Sequence, residues 1–314
     1  MFALAGLGLP LLLLLGLVGF TLRTARLAER AVPPLGHRVD VPGGAIQALR
    51  TGAGPPVLMI HGLGGQMRHF TYALTDRLAS SFELIAIDRP GCGWSRRDGD
   101  AQARLAEQAR MIHAFIVAQG LGRPLVVGHS LGGAVAMQLA LDHPDSVSGL
   151  ALLAPLAMPE TEVPPAFRSL AIGSAFLRYV VGYTIAAPIG LRSARAVLSH
   201  VFAPNPVPAD FPIAGGALLG LRPASFRAAT ADLMAVSRDM PALAARHHAL
   251  ALPVGILFGD ADRILDARVH GEAMRGRIDG LDLEIVPGLG HMVQVSDPDR
   301  VAAFVRRIAA RAFA

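Results

Sequence analysis

The chain has 314 residues, 52% of them hydrophobic and 17% charged, which supplies a large core and excludes a disordered chain. Its net charge is +5, and all 29 basic residues are arginines, scattered without interleaved aromatics, which argues against a nucleic-acid surface. One cysteine, Cys92, rules out an internal disulfide framework and lies too far from the N-terminus for a lipoprotein anchor.

In chain order, the first predicted element is "FALAGLGLPLLLLLGLVGFTL", Phe2 to Leu22. It carries no charged side chain and, at about 20 residues, is long enough to cross a bilayer as a helix. The alternatives are a cleaved signal peptide and a buried or interfacial helix. A cleaved signal would want a basic n-region and a small-x-small cleavage site, and neither is present. The expectation is an uncleaved anchor over residues 1–22. Arg23, Arg26 and Arg30 follow it, and by the positive-inside rule they favour the cytoplasmic face for what comes next. A linker is expected over 23–36, rich in proline towards its end.

Short apolar runs then recur, each closed by a turn or a helical pattern. "HRVDV" and "AIQALR" read as an opening hairpin around Pro42, Gly43 and Gly44. "PVLMI", "ELIAI", "PLVVG", "SGLALLA", "PVGILFG" and "LDLEIV" follow as buried strands, with helical patterns such as Gln102 to Ala118 and Pro298 to Phe313 among them. Continuous apolar strands alternating with helices predict an α/β fold, a mostly parallel sheet covered on both faces. Chemistry in such sheets gathers at the carboxyl ends of the strands. Five segments fall there: "HGLGG" from His61, "DRPGCGWS" from Asp88, "GHSLGG" from Gly128, "GDADRI" from Gly259 and "GLGHMVQVSDP" from Gly288.

The third of these is the most telling. Ser130 sits between Gly128 and Gly132 where an apolar strand turns into an alanine-rich helix, the context of a G-x-S-x-G nucleophile elbow. Two residues without a Cβ let so sharp a turn close and leave the serine at its tip.

With that motif in place, the region from about Gly36 to the C-terminus resembles an α/β-hydrolase. The resemblance implies a mostly parallel eight-stranded sheet with helices on both faces and a helical lid insertion. It also implies a serine nucleophile at Ser130, an acid at Asp262 in the G-x-x-D segment and a base at His291, in the family's chain order of serine, acid, histidine. Asp260 and Asp266 remain alternative acids. The backbone N–H groups of Leu63 and Leu131 are the implied oxyanion hole. Chemically, the hydroxyl needs an adjacent base titrating near neutrality, the carboxylate holds the imidazole tautomer, and two preset amides meet the developing oxyanion.

Other residues have plainer roles. His61 and His129 read as hydrogen-bonded structural residues. Asp88 and Ser95 read as loop braces, Cys92 as a small filler and Trp94 as a possible substrate contact. His247 and His248 lack the spaced partners of a metal site, and no dinucleotide fingerprint follows a strand, so no metal and no cofactor are expected.

The roughly 95 residues between Ala154 and Pro253 exceed any ordinary core connection and predict the lid, over 156–245, between core segments 37–155 and 246–314. Their aliphatic composition, as in "FRSLAIGSAFLRYVVGYTIAAPIGLR", predicts an apolar pocket. The resemblance thus implies a membrane-anchored esterase of the monoacylglycerol-lipase type, cleaving carboxylic esters with a lipophilic acyl group through an acyl-enzyme. The competing readings are a carbon–carbon bond hydrolase of ring-cleavage products, a cofactor-free haloperoxidase or perhydrolase, and a non-catalytic scaffold. The serine in place of an aspartate argues against a dehalogenase or epoxide hydrolase.

Overall fold

A computed structural model describes residues 2–314, with side chains from Leu9 onward. Met1 and the side chains of residues 2–8, part of the expected anchor, lie outside the described residues. Helix α1 (Phe2–Ala31) does not stop where the apolar run stops. Residues 23–31, expected as the start of a linker, continue the helix, and its Thr21, Ala25, Ala28 and Val32 side is buried. That spacing of four, three and four residues is one helical face, and it packs against the body of the protein.

The strands are β1 (His37–Val41), β2 (Gly44–Thr51), β3 (Pro56–Ile60), β4 (Glu83–Ile87), β5 (Arg96–Arg97), β6 (Leu125–His129), β7 (Gly149–Leu153), β8 (Val254–Gly259) and β9 (Asp282–Val286). They form one sheet ordered β1-β2-β4-β3-β6-β7-β8-β9. β1, β2 and β4 pair antiparallel, and all pairings from β4 through β3 to β9 are parallel. The α/β-hydrolase architecture expected from the sequence is therefore present. The sheet has nine strands where eight were expected, because two arginines, Arg96 and Arg97, add a short antiparallel rung beside Gly44 and Ala45 that no apolar pattern announces.

β6 and β7 are buried at every residue, as continuous apolar runs in a sheet covered on both sides should be. Between the strands lie α2 (Arg68–Thr71), α3 (Thr75–Leu78), α4 (Leu105–Ala118) and α5 (Leu131–Asp142). After β8 come α10 (Ala267–His270), α11 (Val293–Ser296) and α12 (Pro298–Ala312). α4 and α5 pack on each other on one face, while α12, with α3 and α11, covers the other. α12 shows why: it buries Val301, Ala302, Phe304, Val305, Ile308 and Ala309, a single stripe, and turns its arginines outward.

Between β7 and β8 the chain builds a separate helical layer: α6 (Ala175–Tyr183), α7 (Ala186–Phe202), α8 (Phe211–Ala214) and α9 (Pro223–Ala244). α9 is tied to the core by a fully buried charge cluster. Asp232 accepts from Arg89 at 2.9 Å and from Arg97, with the Arg89 and Asp232 side chains wholly excluded from solvent.

Candidate active site

Ser130 occupies the turn from β6 into α5 with φ 55° and ψ −122°, a conformation costing about 1–3 kcal/mol for a residue with a Cβ. The surroundings enforce it. The Ser130 N–H donates to Leu153 O, and the Ser130 carbonyl accepts from Gly133 N and Leu156 N. A Cβ on Gly132 would lie 2.1 Å from Ile60 O, and one on Gly128 would lie 2.7 Å from Gly132 O. Both glycines are thus required by close backbone approach, and the serine is held at the tip.

Asp262 follows β8. Its Oδ1 accepts from the N–H groups of Ile264 at 2.7 Å and Leu265 at 3.1 Å, which fixes the carboxylate plane. Oδ2 then accepts from His291 Nδ1 at 2.7 Å, with the Asp262 side chain fully buried. Donation from Nδ1 leaves His291 Nε2 with the free lone pair, and His291 and Ser130 both line a cavity of about 320 Å³. The alternative acids face elsewhere: Asp260 accepts from Gly288 N, and Asp266 caps α10 through Arg268 N. Leu63 and Leu131 both flank Ser130 in a second cavity of about 240 Å³. Neither of their backbone N–H groups donates to a protein acceptor among the described residues.

The two cavities meet at Ser130, Leu63 and Phe167 and differ in composition. The smaller is walled by Leu156, Val236, Met240, Ile264 and Leu265, with Glu160 and Glu162 also among its lining residues. The larger runs under the helical layer, lined by residues of α6, α7 and α9, and holds His291.

His61 and His129 are held by hydrogen bonds. His61 Nε2 accepts from Arg89 N, so its Nδ1–H donates to Gly62 O. His129 Nε2–H donates to the His291 carbonyl at 3.0 Å. Burial first, then neighbouring positive charge, holds both far below the usual histidine range, so they stay neutral. Ser95 and Asp88 brace the loop after β4. Ser95 Oγ donates to Asp88 O, and Asp88 accepts from Met67 N and Trp94 N, while burial pushes its carboxyl up to about 6. Cys92 is buried, its thiol pushed up to about 12 by desolvation. Trp94 lines neither cavity; its Nε1–H donates to Val32 O at the end of α1.

Sequence reasoning missed Arg89. Wholly buried, it donates from Nε to His61 O and from Nη2 to Gly62 O, so it pins both carbonyls of that loop. Its counter-charge, Asp232, lies 143 residues away on α9. An arginine two residues past a buried strand was a signal in "DRPG", but its partner was not legible. Among the described residues no group of histidine, cysteine and carboxylate side chains is arranged to hold a metal.

A family model described as the alpha/beta hydrolase family matches residues 57–304. An uncharacterized protein of Mycobacterium tuberculosis is 30% identical over 273 residues, covering 82% of this chain and 75% of that protein. The acetyltransferase component of the acetoin cleaving system of Cupriavidus necator is 40% identical over 118 residues, but the match spans only 37% of this chain and 31% of that protein. Among solved structures, an esterase from Thermogutta terrifontis superposes with TM-score 0.71 at 23% identity, covering 88% of this chain and 99% of its own. A bacterial membrane phospholipase A superposes with TM-score 0.72 at 24% identity, covering 98% of each chain. At these identities the structural likenesses concern the fold.

Proposed function

The chain belongs to the alpha/beta hydrolase family, and from that premise we propose that it is a serine hydrolase of carboxylic esters with a lipophilic acyl group, anchored in a membrane by α1. The observation that carries the proposal is a histidine, His291, hydrogen-bonded to the buried Asp262 and lining the same chamber as Ser130, which also opens on a second largely apolar chamber.

In this reading His291 Nε2 takes the Ser130 proton as Oγ attacks the ester carbonyl carbon. The Leu63 and Leu131 N–H groups meet the oxyanion, each such donor being worth about 3–4 kcal/mol in the transition state. Collapse breaks the bond to the leaving oxygen, which receives the proton from His291. Water, deprotonated by the same imidazole, then hydrolyses the acyl-serine. Asp262 holds the tautomer throughout.

The position of His291 sorts the two chambers. The group that protonates the leaving oxygen lines only the larger cavity, so the alcohol belongs there and the acyl chain in the smaller one. The helical layer of α6 to α9 acts as the lid, and its aliphatic lining favours apolar arms. α1 offers 23 residues, Leu9–Ala31, containing a window of mean hydropathy 1.7, which suits a span.

Fluorophosphonate labelling of the full-length protein, with Ser130→Ala beside it, tests the nucleophile. Two ester series, one varying the acyl chain and one the alcohol, test the substrate. Label is expected on the wild type and absent from the variant, with longer acyl chains preferred over acetyl and bulk tolerated better on the alcohol side. A folded wild type that takes no label refutes the chemistry, and better turnover of short water-soluble esters refutes the lipophilic part.

A further inference from the structure

Large apolar side chains exposed to solvent are not spread evenly over this molecule. Of the twenty that are exposed among the described residues, nine lie on α1 and seven on α6, α7 and the corner between them, while Val117, Ile213, Val269 and Phe313 lie elsewhere. Phe176, Leu177, Val180, Ile185, Ile189 and Leu191 are between 37% and 73% exposed, and large apolar side chains exposed together mark an interaction surface.

The two apolar surfaces are joined. Thr21, buried in the last turn of the apolar run of α1, donates its hydroxyl proton to the carbonyl of Thr184, the corner between α6 and α7, at 2.9 Å. Below it the buried Ala25, Ala28 and Val32 continue the contact, and Arg222 pairs with Glu29 at 3.5 Å. Thr21 lies two residues before Arg23, where the apolar run ends, so the corner at Thr184 is set at the level where a span leaves the hydrocarbon. Exposed arginines follow, Arg23, Arg26 and Arg30 on α1 and Arg192 and Arg195 on α7, and the rings of Tyr179 and Tyr183 pack on each other, tilted, with centroids 4.6 Å apart. Apolar side chains bordered by tyrosine and arginine are the composition of a surface immersed in the interfacial layer of an anionic leaflet.

We infer that the outer face of α6 and α7 is a membrane-binding surface, inserted in the lipid leaflet from which α1 emerges. This rests on the reading of α1 as a membrane span. Ile189 of α7 is half-exposed and lines the larger chamber, so α7 itself walls the proposed alcohol site. A lipophilic ester therefore reaches Ser130 from the leaflet, without crossing water.

The test uses the full chain in vesicles of phosphatidylcholine and phosphatidylglycerol, with the buried Cys92 replaced by alanine and single cysteines carrying an environment-sensitive fluorophore. Probes at Phe176→Cys and Ile185→Cys report the face, Leu14→Cys reports the span, and Val117→Cys is an exposed apolar site on α4 in the catalytic body. Fluorophosphonate labelling of each variant establishes that it is folded. Spin-labelled phosphatidylcholine with the nitroxide high on the acyl chain should quench the probes at 176 and 185 and shift their emission to the blue, with 117 unaffected. Quenching at 14 by a deeper nitroxide, with none at 176 and 185, overturns this inference and leaves the anchor intact. No quenching at 14 overturns the anchor and the inference together, and equal quenching at 117 overturns the assignment of the face.

Discussion

Asp262→Asn should abolish most of the activity while leaving the fold in place, and the structure says why. The two oxygens of Asp262 have different duties: Oδ1 accepts from Ile264 N and Leu265 N, and Oδ2 accepts from His291 Nδ1. An asparagine must present its oxygen to the two backbone donors. The flipped rotamer would aim its NH2 at two N–H groups and leave them buried and unpaired, at about 1–3 kcal/mol each. The NH2 therefore takes the place of Oδ2 and donates to His291 Nδ1. That forces the proton onto Nε2, where it blocks acceptance from Ser130, and it removes the charge that stabilises the imidazolium. The comparable change in other serine hydrolases lowers kcat about 10⁴-fold, about 5 kcal/mol of barrier. Because the Oδ1 contacts survive, thermal stability should change by no more than about 1.5 kcal/mol. Steady-state turnover of the best ester, beside a thermal melt, measures both. Asp260→Asn and Asp266→Asn are controls expected to stay within about twofold of wild type, the scatter of surface substitutions. An Asp262→Asn enzyme that keeps a tenth or more of wild-type kcat would refute the assignment of the acid.

Three other outcomes follow from the geometry. Val236→Trp, on the wall of the smaller chamber, should lower kcat/KM for long acyl chains by about tenfold or more and leave acetyl esters and the alcohol series unchanged; loss in the alcohol series instead would reverse the chamber assignment. Asp232→Ala leaves Arg89 and Arg97 buried without their counter-charge and should destabilise the protein by about 3–5 kcal/mol in denaturant unfolding, whereas a loss under about 1 kcal/mol would show the cluster to be solvated. Acid should also destabilise the fold. Burial holds His69 down to about 4 and His61 and His129 well below the usual range, so from pH 6.5 downward the unfolded chain binds more protons than the folded one and stability is lost as the pH falls. Asp88, raised from 3.8 to about 6, has the opposite sign in part of that window, but it is one group against five, because burial also lowers His143 and His247. The denaturant midpoint should therefore drop between about pH 7 and pH 4.5, less steeply in His69→Phe; a midpoint that rises would refute this balance.

Much of the sheet and the elbow was legible because it rests on local patterns. The apolar runs of β3, β4, β6, β7 and β8 are each bounded by turn residues, and strands buried on both faces have no other way to read. Gly128 and Gly132 marked the turn because backbone approaches of 2.7 Å and 2.1 Å leave no room for a side chain. The short rung at Arg96 and Arg97 escaped because its residues are charged and its pairing is decided by β2. The helix beyond Leu22 escaped for a related reason: Arg23 to Ala31 is polar enough to read as a linker, and what makes it helical is the burial of Ala25, Ala28 and Val32 against the helical layer.

By itself the sequence determined the α/β class, the sharp strand-to-helix turn at Ser130, the order of the candidate serine, acid and histidine, and an apolar N-terminal helix. These follow from residue types and spacings within a few positions, where steric and periodic rules act. Only the tertiary structure decided which aspartate faces His291, because Asp260, Asp262 and Asp266 differ in nothing but the amides and side chains around them. It alone paired Arg89 with Asp232 on α9, divided the space at Ser130 into two chambers, and set Thr21 against Thr184. Those contacts join segments many residues apart, and whether two such groups meet is settled by how the core packs.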